Sequence, residues 1–252
     1  MSKKQYKTSK SKRQLLKEQR TKREHQRRLT IIGIIIAVAL VLMGLIAIPS
    51  IQEANAPIGD YVRITPNIYS IENGTVLGDP QAKVVIDIYE DFRCSACQSY
   101  TQYIEPQVIK EIVELGKARY IFHQYPFMDD RSALKESDAA ANASECAAEQ
   151  NRFWDYKNIL YTNFNGAPGE FSDKRLIAFA DSLGLDVTQF ETCYQEKRYQ
   201  DKINEDLSLG ESVGVSGTPS VFVNGQNVSP GRVPQFNQIN DLVEQFLSGS
   251  GN

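Results

Sequence analysis

The stretch 91-DFRCSACQSY-100 sets Cys94 and Cys97 in a C-x-x-C pair, directly after the apolar, β-branched run 83-KVVIDIY-89. That run reads as a buried strand closing on Glu90-Asp91. A helix is expected to start at the cysteines and reach about Leu115, with Tyr100, Tyr103/Ile104, Val108 and Ile112/Val113 at helical spacing before Gly116. Strand character returns in 118-ARYIFHQYPF-127. The order strand, cysteine pair, helix, strand puts Cys94 at a helix N-terminus. There the first backbone N–H groups lack partners and the macrodipole is positive, so a thiolate is stabilised. Cysteine pKa falls from about 8.5 to as low as ~3.5 in such settings.

Three chemistries compete for the pair. A structural zinc site needs four ligands, commonly two such pairs or one pair with two histidines. Here Cys146 and Cys193 are isolated, and His123, the one histidine after the apolar N-terminal run, falls in a strand and reads as a sheet-face residue. A purely structural disulfide would close too short a loop to remove much chain entropy. Redox exchange fits best, with Cys94 as the attacking thiolate and Cys97, one helical turn on, as the resolving partner. No metal or organic cofactor is required.

The N-terminal region supplies the setting. Residues 1–28 hold twelve Lys or Arg against Glu18 and Glu24, a net of +10, which leaves −13 for the rest of a chain whose total is −3. Residues 29–48, LTIIGIIIAVALVLMGLIAI, carry no charge, and about 20 apolar residues span a bilayer as a helix. A cleavable signal with a site at Ala54-Asn55-Ala56 is the alternative. The apolar run is too long for a signal core of roughly 7 to 15 residues, and Pro57 would follow the scissile bond. The basic side of the span is expected in the cytoplasm and the remainder outside it. A basic run abutting an apolar span is more simply an orientation signal than a nucleic-acid site. All four cysteines then lie where disulfides persist.

Residues 49–67, with Pro49, Pro57 and Pro66, read as a tether. Four helical segments are expected at 132–150, 153–164, 172–184 (Ser172 as N-cap, Gly184 as stop) and 186–210, together an insertion over about 132–210. Then 220-SVFVNGQNVS-229 reads as a hairpin about Asn224-Gly225, and a last helix at 234–247 places Phe236, Ile239, Val243 and Phe246 on one side. The fold class is α/β, a βαβ half and a ββα half separated by the helical insertion and preceded by one transmembrane helix.

Over residues 68–248 the chain resembles the membrane-anchored, DsbA-like thiol:disulfide oxidoreductases of the thioredoxin superfamily, through 89-YEDFRCSAC-97, 146-CAAEQNRFWDY-156 and 214-GVSGTPSVFVNGQ-226. The resemblance implies a thioredoxin fold and a cis Thr218-Pro219 bond beside the cysteines, with the Thr218 backbone pairing with an extended substrate segment. It also implies a structural bridge between Cys146 and Cys193, against which two buried free thiols or a second redox pair stand as alternatives. Such a bridge would be worth roughly 4 kcal/mol in the chain-entropy view.

Exported protein thiols would be the substrates, and a quinone-linked membrane partner of the DsbB or vitamin K epoxide reductase type would reoxidise the pair. Two departures are visible. Ser95-Ala96 replaces the Pro-His of the strongly oxidising type, and the buried acid that many relatives carry six residues before the first cysteine is here Ile88, leaving Asp87 as a candidate proton shuttle or, more simply, a solvated or hydrogen-bonded strand carboxylate. A disulfide reductase or isomerase, for example in cytochrome c maturation, and a non-catalytic peptide-binding module are the other functions compatible with these features.

Overall fold

The structure is a computed structural model that describes residues 12–55, 58–67, 69, 71–131 and 134–249. It divides into two compact units, Met1–Pro57 and Ile58–Asn252. The first is helix α1 (Lys12–Asn55). Its segment Lys22–Met43 is long and apolar enough to cross a membrane, and Ile34, Ile35, Leu40 and Val41 along it are exposed, as side chains meant for lipid would be. Residues 1–11 of the basic arm and Ala56 of the alternative cleavage site lie outside the described residues.

The second unit is built on a six-stranded sheet of order β1-β2-β4-β3-β5-β6. Its centre is β3 (Val84–Glu90), parallel to β4 (Ala118–Gln124) and antiparallel to β5 (Ser220–Val223). A strand covered on both faces needs apolar residues throughout, and Val84, Ile86 and Ile88 are fully buried. β5 turns into β6 (Gln226–Asn227) through Asn224 and Gly225, at φ 46° and 80°, the left-handed pair that a two-residue hairpin demands. The Asn224 carboxamide then accepts from Val85 N at 2.8 Å, pinning the turn to the central strand. On the other edge β1 (Glu72–Asn73) and β2 (Val76–Leu77) form a small hairpin about Gly74, pairing with β4. Sequence reading passed over this element, although Asn73-Gly74 was its signal.

Between β4 and β5 lies the helical insertion: α4 (Glu136–Ala148), α5 (Phe153–Asn163), α6 (Asp173–Ser182), α7 (Val187–Gln195) and α8 (Gln200–Ser212). Cys146 of α4 and Cys193 of α7, both fully buried, are joined in a disulfide. Helix α9 (Phe236–Leu247) closes the chain with Ile239 and Val243 in the core.

Three expectations need correction. The helix after the cysteines is not continuous: α2 (Ser95–Tyr103) stops, α3 (Glu105–Val108) restarts, and Ile109–Val113 is a π-type turn. Pro106 has no N–H for the carbonyl four residues back and its ring crowds that turn, so the proline sits where helices tolerate it, at the opening of a new one.

The segment 186–210 is likewise two helices, broken where Lys197 takes a left-handed φ of 49°. Ser172 occupies the N-cap position of α6 without a side-chain capping bond, whereas Asp186 caps α7 by accepting from Gln189 N. Residues 58–67 are fastened rather than free. The Asn163 carboxamide accepts from Val62 N at 2.7 Å and donates to Val62 O at 2.9 Å, and Asp155 accepts from Asn67 N at 2.8 Å. Residues 132 and 133, at the start of the expected insertion, lie outside the described residues.

Candidate functional site

Cys94 is the residue immediately before the first turn of α2, in extended conformation. The loop that carries it is fixed by Asp91, whose buried carboxylate accepts from Arg93 N (2.8 Å), Ser137 Oγ (2.7 Å) and Met128 N (2.8 Å). Cys94 N donates to Asp91 O at 3.0 Å. Arg93 reaches the other way, to Glu136 at 3.5 Å and Glu170 at 3.4 Å. Gln98 of α2 donates to the carbonyls of Tyr161 and Phe164. The insertion thus holds both ends of the first turn.

The two thiols are unlike. Cys94 retains 9% of its surface and Cys97 none, and both are in the thiol form. The Cys94 pKa is lowered to about 6, chiefly by a hydrogen bond from Cys97, against the opposing effect of burial; the side chain of Thr218 and the N–H groups of Cys97 and Ala96 add to it. Those N–H groups are the unpaired donors of the helix start. Burial first, then the hydrogen bond given to Cys94 and the charge of Glu90, push Cys97 well above the ordinary range.

The loop 214–219 lies against this pair: the Thr218-Pro219 bond is cis, and Cys94 Sγ donates to Thr218 O at 3.3 Å. Only the thiol can make that bond, so ionisation of Cys94 frees the carbonyl.

Beneath the cysteines lies a buried ionic cluster that sequence reading missed. Glu90 is fully buried at the end of β3; its Oε2 accepts from Tyr161 OH at 2.9 Å and stands 4.0 Å from Lys157 Nζ. Lys157, also fully buried, donates to Glu105 Oε2 and, at 2.9 Å, to Thr101 Oγ1. Burial raises the Glu90 pKa to about 8 despite the lowering charge of Lys157. The available signal was the alternation of β3: Glu90 shares a face with Ile86 and Ile88, Asp87 does not.

Asp87 instead accepts from His123 at 2.9 Å, and the other ring nitrogen faces Asp206 of α8 at 3.1 Å. That strand face is covered by α8, not by the cysteine helix, which removes Asp87 from a proton-shuttle role. His123 is a sheet-face residue stacked on Tyr89. Among the described residues no cluster of His, Cys, Asp and Glu has the makings of a metal site.

A mixed sheet with a cysteine pair at the mouth of one helix, and a helical insertion packed over it, defines the class: a thioredoxin-fold disulfide oxidoreductase of the DsbA-like kind. The thioredoxin family model matches residues 70–242, and the chain belongs to that family. A probable disulfide bond formation protein D from Bacillus cereus is 27% identical over 226 residues, 87% of this chain and 97% of the relative. Crystal structures of BdbD from Bacillus subtilis (oxidised) and of Wolbachia pipientis alpha-DsbA1 superpose with TM-scores of 0.62 and 0.60 at 22% and 21% identity. They cover 76% and 73% of this chain, and 100% and 95% of their own. At those identities the superpositions establish the fold.

Proposed function

We propose that the chain is a membrane-anchored oxidoreductase that introduces disulfides into exported proteins through Cys94 and Cys97, with α1 as the anchor and the domain from Ile58 onward outside the cytoplasm. The observation that carries the reading is the asymmetry of the two thiols: a sulfur that keeps a small exposed surface and is held near pKa 6 beside a sealed one held high. A dithiol whose outer sulfur is a stable thiolate gives up its disulfide readily, because reduced Cys94 is the favoured state at neutral pH. The name of the Bacillus cereus relative points the same way.

In the reaction a client thiolate attacks Cys94 Sγ of the Cys94–Cys97 disulfide; a client–Cys94 bond forms, the intramolecular bond breaks, and the electron pair leaves on Cys97, which is protonated. A second client thiolate then attacks the client sulfur, completing the client disulfide and expelling Cys94 as its stabilised thiolate. The loop at Thr218-Pro219 is where an extended client segment would lie, its N–H taking the Thr218 carbonyl that Cys94 relinquishes on ionising. Two electrons must leave the dithiol before the next turnover, and a quinone-linked membrane protein of the DsbB or vitamin K epoxide reductase type is the acceptor we assign. The Cys146–Cys193 bridge, with both sulfurs sealed in the insertion, serves structure rather than exchange.

The deciding measurement is the equilibrium reduction potential of the Cys94–Cys97 pair in glutathione buffers. A value near about −120 mV supports net oxidation of clients, and one near about −270 mV would replace this reading with a disulfide reductase.

A further inference from the structure

Between the cysteines, Ala96 offers only a methyl group and Ser95 faces solvent. The Cys94 thiolate depends first on the hydrogen bond from Cys97, then, against burial, on Thr218 and the N–H groups of Cys97 and Ala96. The free donors of a helix start serve a neighbouring sulfur only while the residue before them holds its place. Cys94 holds an extended conformation, φ −94° and ψ 116°, with no side-chain capping bond of its own. The turn is held by the residue three before it. Asp91 is 1% exposed. Its carboxylate accepts from Arg93 N, Ser137 Oγ and Met128 N, and its carbonyl accepts from Cys94 N at 3.0 Å and Tyr161 OH at 3.3 Å.

The bonds to Arg93 and Cys94 wind residues 91–94 into a turn that the aspartate side chain reinforces. The others arrive from the turn after β4, from α4 and from α5. Only a carboxylate serves here: one oxygen takes two donors and the other a third, and an amide would set its own N–H against one of them. Arg93, the nearest cation in sequence, turns its guanidinium to Glu136 and Glu170 instead. Burial raises the Asp91 pKa to about 6 against those hydrogen bonds, and the charge of Cys94 adds to the rise. As an electrostatic neighbour Asp91 works against the thiolate, so whatever it lends the site is geometric.

We propose that Asp91 is a positioning residue of the redox site: held by Ser137 of α4 and by Met128, it fixes the turn 91–94 so that the Ala96 and Cys97 N–H groups stay aimed at the Cys94 sulfur. The assignment rests on the dithiol reading above, and it makes the helical insertion a determinant of how stable the reduced pair is. With the turn loosened, the thiolate loses donors and the disulfide becomes a weaker oxidant.

The test uses the full chain, reduced, in detergent micelles, with thiolate absorbance at 240 nm followed from pH 5 to 8.5. The wild-type inflection lies near pH 6. Asp91→Asn should carry it to about pH 7, so that the thiolate present at pH 6 falls about fivefold while the plateau at pH 8.5 is unchanged. Its glutathione equilibrium at pH 7 should shift about fivefold toward the protein disulfide. Ser137→Ala, which touches neither cysteine, should lower the thiolate at pH 6 about twofold. Asp186→Ala, which removes the cap of α7, should lower the urea midpoint and leave the inflection in place. An inflection that fails to rise in either of the first two variants overturns the proposal, and a fall in Asp91→Asn would mark loss of charge as the whole effect. A rise in Asp186→Ala as well would reduce the effect to stability and overturn it too. Should Asp91→Asn not fold, Ser137→Ala decides alone. The absorbance needs no client, so a chain that shows these shifts yet oxidises no reduced client protein would refute the function above and leave Asp91 in its role.

Discussion

At the scale of single residues, the difference between two sulfurs one helical turn apart organises the site. Cys94 should show thiolate absorbance near 240 nm that titrates with an inflection near pH 6, and Cys94→Ser should remove it while abolishing client oxidation. Cys97 should contribute nothing to that absorbance at neutral pH, and iodoacetamide at pH 7 should modify Cys94 alone. The cysteines, Thr218 and Pro219 were legible because each sits in a short, contiguous pattern. Glu90 was not legible as a site residue. Its place depends on the face it takes in β3 and on Lys157 and Tyr161 arriving from a distant helix, and neither is written in the neighbouring residues. Asp87, one residue from the usual position of a buried acid, is a hydrogen-bonded strand carboxylate and not a shuttle for the same reason: on a strand, one residue is the whole difference between two faces.

At the scale of elements, α8 meets the sheet through contacts that are sensitive to size and to pH. Gly210 is buried where a Cβ would come within 2.7 Å of the Tyr125 ring and 3.1 Å of Tyr89. Gly210→Val should destabilise by about 1 to 3 kcal/mol, seen as a lower urea midpoint.

Along the same helix Asp206, with Asp87 of β3, clamps His123. Burial disfavours the imidazolium, yet the two carboxylates outweigh it and raise its pKa to about 9. A folded-state pKa above the unfolded value means the clamp contributes fully below about pH 6.5 and is lost as pH rises through about 9. Stability should therefore fall between pH 7 and 9.5 by on the order of 2 kcal/mol more in the wild type than in His123→Gln, measured by urea denaturation at each pH. The order of the strands and helices from β3 to α9 was legible from periodicity and turn residues, whereas the β1–β2 hairpin and the two helix breaks were not. The break at Pro106 was signalled by the proline and overridden by the apolar spacing around it, and the fastening of 58–67 depends on carboxamide and carboxylate groups from α5.

At the scale of the whole molecule, the bridge and the anchor make separable predictions. Replacing both Cys146 and Cys193 with Ala should cost roughly 2 to 5 kcal/mol of stability and leave the reduction potential of Cys94–Cys97 within a few millivolts. A shift of tens of millivolts would mark the second pair as redox-active. The orientation proposed from the basic arm predicts that protease added outside intact cells degrades the domain and spares the arm, whereas the reverse pattern would invert the topology.

The packing of Trp154, the only tryptophan in the chain, has a spectroscopic consequence. It is buried against Phe122, Phe153, Tyr120 and Tyr69, with the Lys157 ammonium 5.7 Å from its ring centre. Its emission therefore originates at the seam between insertion and sheet, beside the cation that serves both Glu90 and Glu105. The chain carries its own optical probe of that cluster: opening of the seam would shift its emission to the red, and a change in charge around Lys157 would alter its intensity, without any label being attached.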